Sequence, residues 1–443
     1  MKNKRFKSIC LFFAVPLYMT CPVFAQIPNE DFQIQNTAAI GKYKIVATNQ
    51  DKCFDNYKEI PFPKKGDSFY GQDAQNNGNK PSYIDNGDGS ITDNVTGLIW
   101  QKSYEVMSYA DAVEKVKAFN LANKTDWRIP SIKEAYSLIQ FNGVDVSSKE
   151  MNALPKKAKP FIDTTYFDFK YGSNGNRVID VQLLSSTIYQ GTTMGGNKTV
   201  FGVNLADGRI KGYPISGPKM NRDPNSRAHQ SNEQRAGGPG GEKLFTVRFV
   251  RGNTDYGLNN FKDNSNKTIS DLATGLMWAK EDSNKGMNWE EALAFAQEKN
   301  QENYLGFNDW RLPNTKELQS IVDYSRSPQS TNSAAINTLF QTSAILDEGG
   351  RTNFPFFWTS TTHESQYNGN TADYVCFGEG LGFMKAPRQN EVSLVDVHGA
   401  GAQRSDPKTG DASDYPQGRG PQGDVIRINN YVRLVRSMNE IKI

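Results

Sequence analysis

Histidine, cysteine and long apolar runs are all scarce in this chain of 443 residues. The histidines are His229, His363 and His398, too few for easy nucleophilic catalysis, which needs a nucleophile, a base and an orienting group together. Ser186 in SSTIY and Ser360 in TSTTH stand at equivalent places, yet no G-x-S-x-G elbow surrounds either. No enzymatic activity is expected. Apart from two cysteines near the N-terminus, only Cys53 and Cys376 are present. Two thiols so far apart make no disulfide framework, and the sequence leaves open whether they bridge or stay free and buried. No stretch beyond the first residues is apolar enough to span a bilayer, so no transmembrane segment is expected.

The N-terminus reads as an export signal. A basic MKNKRFK, a short apolar ICLFFAVPLYM and small residues ending at Ala25 describe a secretory signal peptide over residues 1–25, cleaved after Ala25. A lipoprotein reading at Cys21 fits poorly, because Tyr18-Met19-Thr20 is a bulky lead-in. Losing Lys2, Lys4, Arg5 and Lys7 turns the formal net charge of +3 into −1, so the basic balance belongs to the leader. That argues against nucleic acid as a partner. The mature protein is expected to be extracytoplasmic, either periplasmic or at the cell surface.

What the chain does have is repetition. TDNVTGLIW (Thr92 to Trp100) returns as ISDLATGLMW (Ile269 to Trp278), and DWRIP returns as DWRLP. LLSST at Leu183 returns as FWTST at Phe357, and VRFVR at Val247 returns as VRLVR at Val432. The pairs keep their order at offsets of 178, 183, 174 and 185 residues, which two copies of one domain explain. All six tryptophans, Trp100, Trp127, Trp278, Trp289, Trp310 and Trp358, fall at repeated positions. Tyr109 and Leu184 replace two of them in the first copy. The expected organisation is an N-terminal arm over 26–80, copy one over 81–252 and copy two over 256–443.

Local signals predict the elements. Asn86-Gly87 and Asp88-Gly89 interrupt an alternating run and predict a β-hairpin. Trp289, Ala292, Leu293 and Ala296, matched by Tyr109, Ala112, Val113 and Val116, have the spacing of an amphipathic helix. In DWRIP, Trp127 and Ile129 share one side of an extended chain, and the proline stops it. Ser131 with Glu134, and Asn314 with Glu317, then have capping-box spacing. A second helix should follow, burying Leu138 and Ile139, or Leu318, Ile321 and Val322. Asp126 and Asp309 are expected in charge pairs, not in catalysis. The stretch from Val395 to Arg436 reads as a long loop ending in an alternating strand, and a loop of that length is commonly functional.

These motifs together resemble the Lcl C-terminal domain family, named for the terminal domain of collagen-like bacterial adhesins, in two tandem copies. The order of elements is similar to the C-type-lectin-like fold shared with formylglycine-generating enzymes. The resemblance implies an α+β fold of two tandem C-type-lectin-like domains, each with two helices on a small, mainly antiparallel sheet plus long irregular loops. It also implies glycan or surface-protein ligands. Where family members carry cysteines near Phe62, Phe249 and Leu434, this chain is apolar, and the collagen-like region is absent.

Three function classes remain. A non-catalytic recognition or adhesion protein is favoured, with ligand-binding residues His398, Arg404, Arg419 and Arg427. A structural envelope spacer and, less favoured, an enzyme of formylglycine-generating type are the alternatives. No cofactor is expected; Asp396, His398, Asp406, Asp411 and Asp424 make Ca²⁺ the one candidate, although no EF-hand spacing is present.

Overall fold

The turn dipeptides form the hairpin they predict. Gly87 and Gly89 take positive φ of 75° and 87°, and strands β1 (Tyr83–Asp85) and β2 (Ser90–Asp93) pair antiparallel with Tyr83 opposite Asp93. Then come β3 (Leu98–Gln101), β4 (Glu105–Ser108) and helix α1 (Tyr109–Val116), which Ser108 caps by accepting from the Asp111 amide. Helix α2 (Ile132–Ser137), β5 (Gln182–Thr193), β6 (Asn197–Asn204), β7 (Ile210–Pro214), β8 (Leu244–Val247) and β9 (Val250–Gly252) complete the first copy. This computed structural model describes residues 41–76, 78–147, 153–173, 176–215, 243–385 and 391–438. The leader with its cleavage site after Ala25, the start of the arm, and His229 lie outside the described residues.

The second copy repeats the sequence of elements: β10 (Phe261–Asp263), β11 (Thr268–Asp271), β12 (Leu276–Ala279), α3 (Trp289–Gln301), α4 (Thr315–Ser320), β13 (Phe356–His363) and β14 (Thr371–Cys376). A hairpin of β15 (Leu381–Lys385) and β16 (Val392–Asp396) follows, then β17 (Gln403–Pro407) and β18 (Val435–Ser437). Each copy has its own four-stranded sheet, in the order β1-β2-β3-β9 or β10-β11-β12-β18. With few helices, many strands and several sheets, the class is α+β.

The copies are joined by one sheet of eight strands, ordered β13-β14-β17-β7-β6-β5-β8-β4. The seam is antiparallel, with Gln403 of β17 opposite Ile210 of β7. On either side of it three strands are mirrored, β17-β14-β13 and β7-β6-β5, as a pseudo-twofold between the copies requires, and copy one adds β8 and β4. A shared apolar core contains Trp100, Tyr136 and Phe201 of copy one beside Trp278, Leu318 and Phe357 of copy two. Smaller cores surround Trp127 in copy one and Trp289, Trp310 and Trp358 in copy two. The capped helices meet across the pseudo-twofold reciprocally. The Lys133 ammonium donates to the Ser320 carbonyl at 2.6 Å, and the Lys316 ammonium donates to the Ser137 carbonyl at 2.8 Å. Burial lowers these lysines to about 8 and about 7 respectively.

The repeated hexapeptide is a packing device in both copies. Trp127 and Trp310 are 5% and 2% exposed, and their indole nitrogens donate to the carbonyls of Leu121 and Tyr304. Both capping boxes form, and their glutamates also bind Arg128 and Arg311. Asp126 and Asp309 pair instead with Arg251 and Arg436 of the closing segments. The Ser186 and Ser360 amides donate to the carbonyls of Pro130 and Pro313, so the serines fasten the hexapeptide to β5 and β13.

Two expectations need correction. The second helices are only six residues long, and Leu138, Ile139, Ile321 and Val322 lie just past their ends, although all four are buried. The stretch from Val395 to Arg436 is no simple loop, because it contributes β17 to the middle of the large sheet. A strand paired on both edges needs no long apolar run when most of its burial comes from neighbours in the sheet. Cys53 and Cys376 are both buried and free.

Candidate functional site

The seam between the copies carries an unusual concentration of charge. Ile210 and Gln403 face the core at 0% exposure, while Arg209, just before β7, and Lys211 of β7, one residue to either side of Ile210, line a cleft of about 470 Å³ together with Arg404 of β17. Like charges on adjacent strands repel, so each has been given an acid. Arg209 donates to Asp145 at 2.7 Å and to the Ser405 hydroxyl at 3.0 Å, Lys211 stands 3.8 Å from Asp207, and Arg404 binds Asp424. Burial pushes Asp424 upward, but Arg404 and His398 outweigh it and hold the carboxyl well below the usual carboxylate range.

The rim adds further cations. Among the described residues, Arg177, Lys243 and Arg419 bring the lining to six cationic side chains against the carboxylates of Asp145, Asp207 and Asp424. Arg177 is held by Asp180 and Lys243 by the Gln182 side chain, whereas Arg419 is exposed. Burial, then the nearby Arg404, lowers Lys211 to about 8 despite Asp207 and Asp424. Arg404 Nη1 is buried with no hydrogen-bond partner among the described residues. A crowded ammonium and an unsatisfied guanidinium nitrogen are both relieved by an anion.

The four sequence-predicted ligand residues separate into three situations. Arg404 and Arg419 reach the cleft, linked through Asp424, whose backbone exchanges two hydrogen bonds with that of Arg419. His398 is no cation of a patch: it is 1% exposed, burial lowers it to about 4, and its Nε2 sits 2.9 Å from Asp424 Oδ1. A neutral imidazole there donates to the carboxylate and orients it. Arg427 lies in a different pocket, where Glu348 holds it through Nε and Nη2. The acids considered for Ca²⁺ are likewise dispersed. Asp396 accepts from Tyr189, Asp406 from the Arg427 and Ile428 amides, Asp411 from Ser413 and Asp424 from Arg404. Among the described residues no cluster of three potential metal ligands occurs. His363 is buried between Asp373 at 2.8 Å and Asp145 at 3.5 Å, so it braces the seam beneath Arg209.

Arg177, Arg209, Lys211 and Lys243 are the cleft residues that sequence reasoning missed. The available signal was R-I-K, two cations flanking an isoleucine where a strand begins.

The profile of the Lcl C-terminal domain matches the chain twice, over residues 89–222 and 267–397. The chain belongs to that family. Arg209 and Lys211 fall inside the first Lcl C-terminal match, while Lys243, Arg404 and Arg419 lie beyond the ends of the two, so the cleft combines the family domain with flanking segments. No curated protein and no solved structure matches the chain. Among the described residues no helix is long and apolar enough to cross a membrane.

Proposed function

We propose that the protein is an exported, non-catalytic recognition or adhesion protein that binds anionic glycans, sulfated or carboxylated, in the cleft between its two copies. The supporting observation is the convergence of Arg209, Lys211 and Arg404 at the seam, with Lys243 and Arg419 above them. The family's link to adhesins favours the same ligand class, and the C-type-lectin-like arrangement expected of each copy would suit a rigid frame with recognition at its margin. The near-neutral mature charge is no obstacle, because a cleft focuses local charge whatever the total.

The test is a screen of mature protein against immobilised heparin and a panel of neutral, sialylated and sulfated glycans, with and without Ca²⁺. A Lys211→Ala, Arg419→Ala double variant accompanies it. Binding of the acidic glycans that weakens with salt and is lost in the double variant supports the reading. Binding indifferent to both changes would remove it. A structural spacer is the second reading, favoured by the continuous eight-stranded sheet and shared core that lock the copies together. Absence of every glycan and surface ligand from such screens would transfer support to it.

A further inference from the structure

Copy two holds a second cavity of about 420 Å³, of a different character from the cleft. The half-buried rings of Phe383, Tyr415 and Tyr431 line it, and the Arg427 guanidinium lies 3.9 Å from the centre of the buried Phe356 ring. Because Glu348 takes Arg427 through two hydrogen bonds, the pocket offers aromatic surface without a free charge. Copy one differs at the equivalent places: the repeat alignment puts Gln182 at the place of Phe356 and Lys243 at that of Ile428.

Two features show that the pocket wall is held in place at a cost. Ile428 sits at φ +61°, a left-handed conformation that a β-branched residue rarely adopts. Asp406 fixes it by accepting from the amides of Arg427 and Ile428 and from the side chain of Asn430. Backbone strain maintained by a buried carboxylate points to a functional site. Asn430, 1% exposed, lines the pocket and leaves its Oδ1 without a partner among the described residues. A buried acceptor of this kind calls for a hydroxyl donor.

We infer that this pocket is a subsite for an uncharged pyranose ring, whose apolar C–H face rests on the Tyr415 and Tyr431 side while a hydroxyl donates to Asn430 Oδ1. The inference rests on the glycan reading above and extends it. Ile426 lines both cavities, so the two are neighbours.

The experiment titrates the whole mature chain with maltose, lactose, N-acetyllactosamine and N,N′-diacetylchitobiose, read by saturation-transfer NMR and calorimetry. At least one disaccharide should bind saturably, persist at about 0.5 M NaCl and in Arg419→Ala, and weaken about tenfold in Tyr415→Ala. Tyr415 is half-buried and its hydroxyl makes no hydrogen bond among the described residues, so its truncation spares the core; an unchanged melting temperature verifies that. Leu346→Ala, at a lip residue 73% exposed, is a second variant expected to weaken binding. No binding by any of the four sugars, equal binding by Tyr415→Ala, or Tyr415-dependent binding of a polyproline peptide in their place would overturn the inference. Heparin binding that is lost in Arg419→Ala is the separate arm: its absence removes the anionic reading and leaves the disaccharide result to stand or fall alone.

Discussion

The two copies share a skeleton and differ at its margin. Both bury a hexapeptide tryptophan, both close a capping box onto an arginine, and both bury an arginine that leads into the closing strand, Arg248 or Arg433, against backbone carbonyls. Copy two is the better filled, with a helix of 13 residues where copy one has 8, and with Trp289 and Trp358 where copy one has Tyr109 and Leu184. Copy one turns its equivalent edge toward the seam with Lys243, while copy two builds an aromatic pocket there. Duplication has thus kept the parts that fold and let the margins diverge.

The comparison breaks most visibly at the tryptophans. Trp310→Ala should cost about 3–5 kcal/mol and Trp127→Ala somewhat less, since Trp310 is the more buried and is flanked by Phe307 and Tyr304. Urea unfolding followed by fluorescence and by circular dichroism checks both. Each variant should still unfold in one transition, because the copies share a core and a sheet; two separated transitions would mean independent halves.

A smaller asymmetry is expected at the caps. Glu317→Ala should cost about 2–3 kcal/mol, because Arg311 loses a bidentate partner and the Asn314 amide loses its acceptor. Glu134→Ala should cost less, since Arg128 makes one such bond and is more exposed.

The reciprocal lysines sharpen the comparison through pH. Lys316 is lowered to about 7 in the fold, against roughly 10.4 in an unfolded chain. Between those values the unfolded chain holds more protons, so stability should rise with pH from about 7 to about 10, with Lys316 contributing up to about 1.4 kcal/mol per unit. Lys316→Met should flatten that rise, whereas Lys133→Met should remove only the part above about 8. Chemical denaturation at a series of pH values separates the two.

The mildest test concerns the cleft. Lys211→Ala should weaken heparin binding about tenfold at neutral pH. In the unsubstituted protein affinity should fall as pH passes through about 8, where Lys211 loses its proton. A pH-independent affinity would exclude Lys211 from the site.

Much of the frame was legible in the sequence because its rules are local. Asn86-Gly87 specifies a turn through φ, Ser131 and Glu134 specify a cap through hydrogen bonds three residues apart, and Trp289 to Ala296 mark a helical face by spacing. The cleft was legible only in part. Arg404 and Arg419 are suggested by their loop-like context, but His398, expected among the ligand-binding residues, is a buried, neutral support for Asp424. Arg427 looked like its neighbour in the patch, yet the strained turn at Ile428 carries it to another cavity. Nothing local distinguishes β17 from a loop, because its partners are β14 of its own copy and β7 of the other.

By itself the sequence determined a duplicated unit, its tryptophan anchors and its capped helices, since repeats and short-range stereochemistry are written residue by residue. Only the tertiary structure decided that the copies would fuse through β7 and β17 and that Arg209, Lys211 and Arg404 would meet there. The reason is that strand pairing across nearly two hundred residues depends on which edges remain free once each copy has folded, and no local pattern encodes that choice.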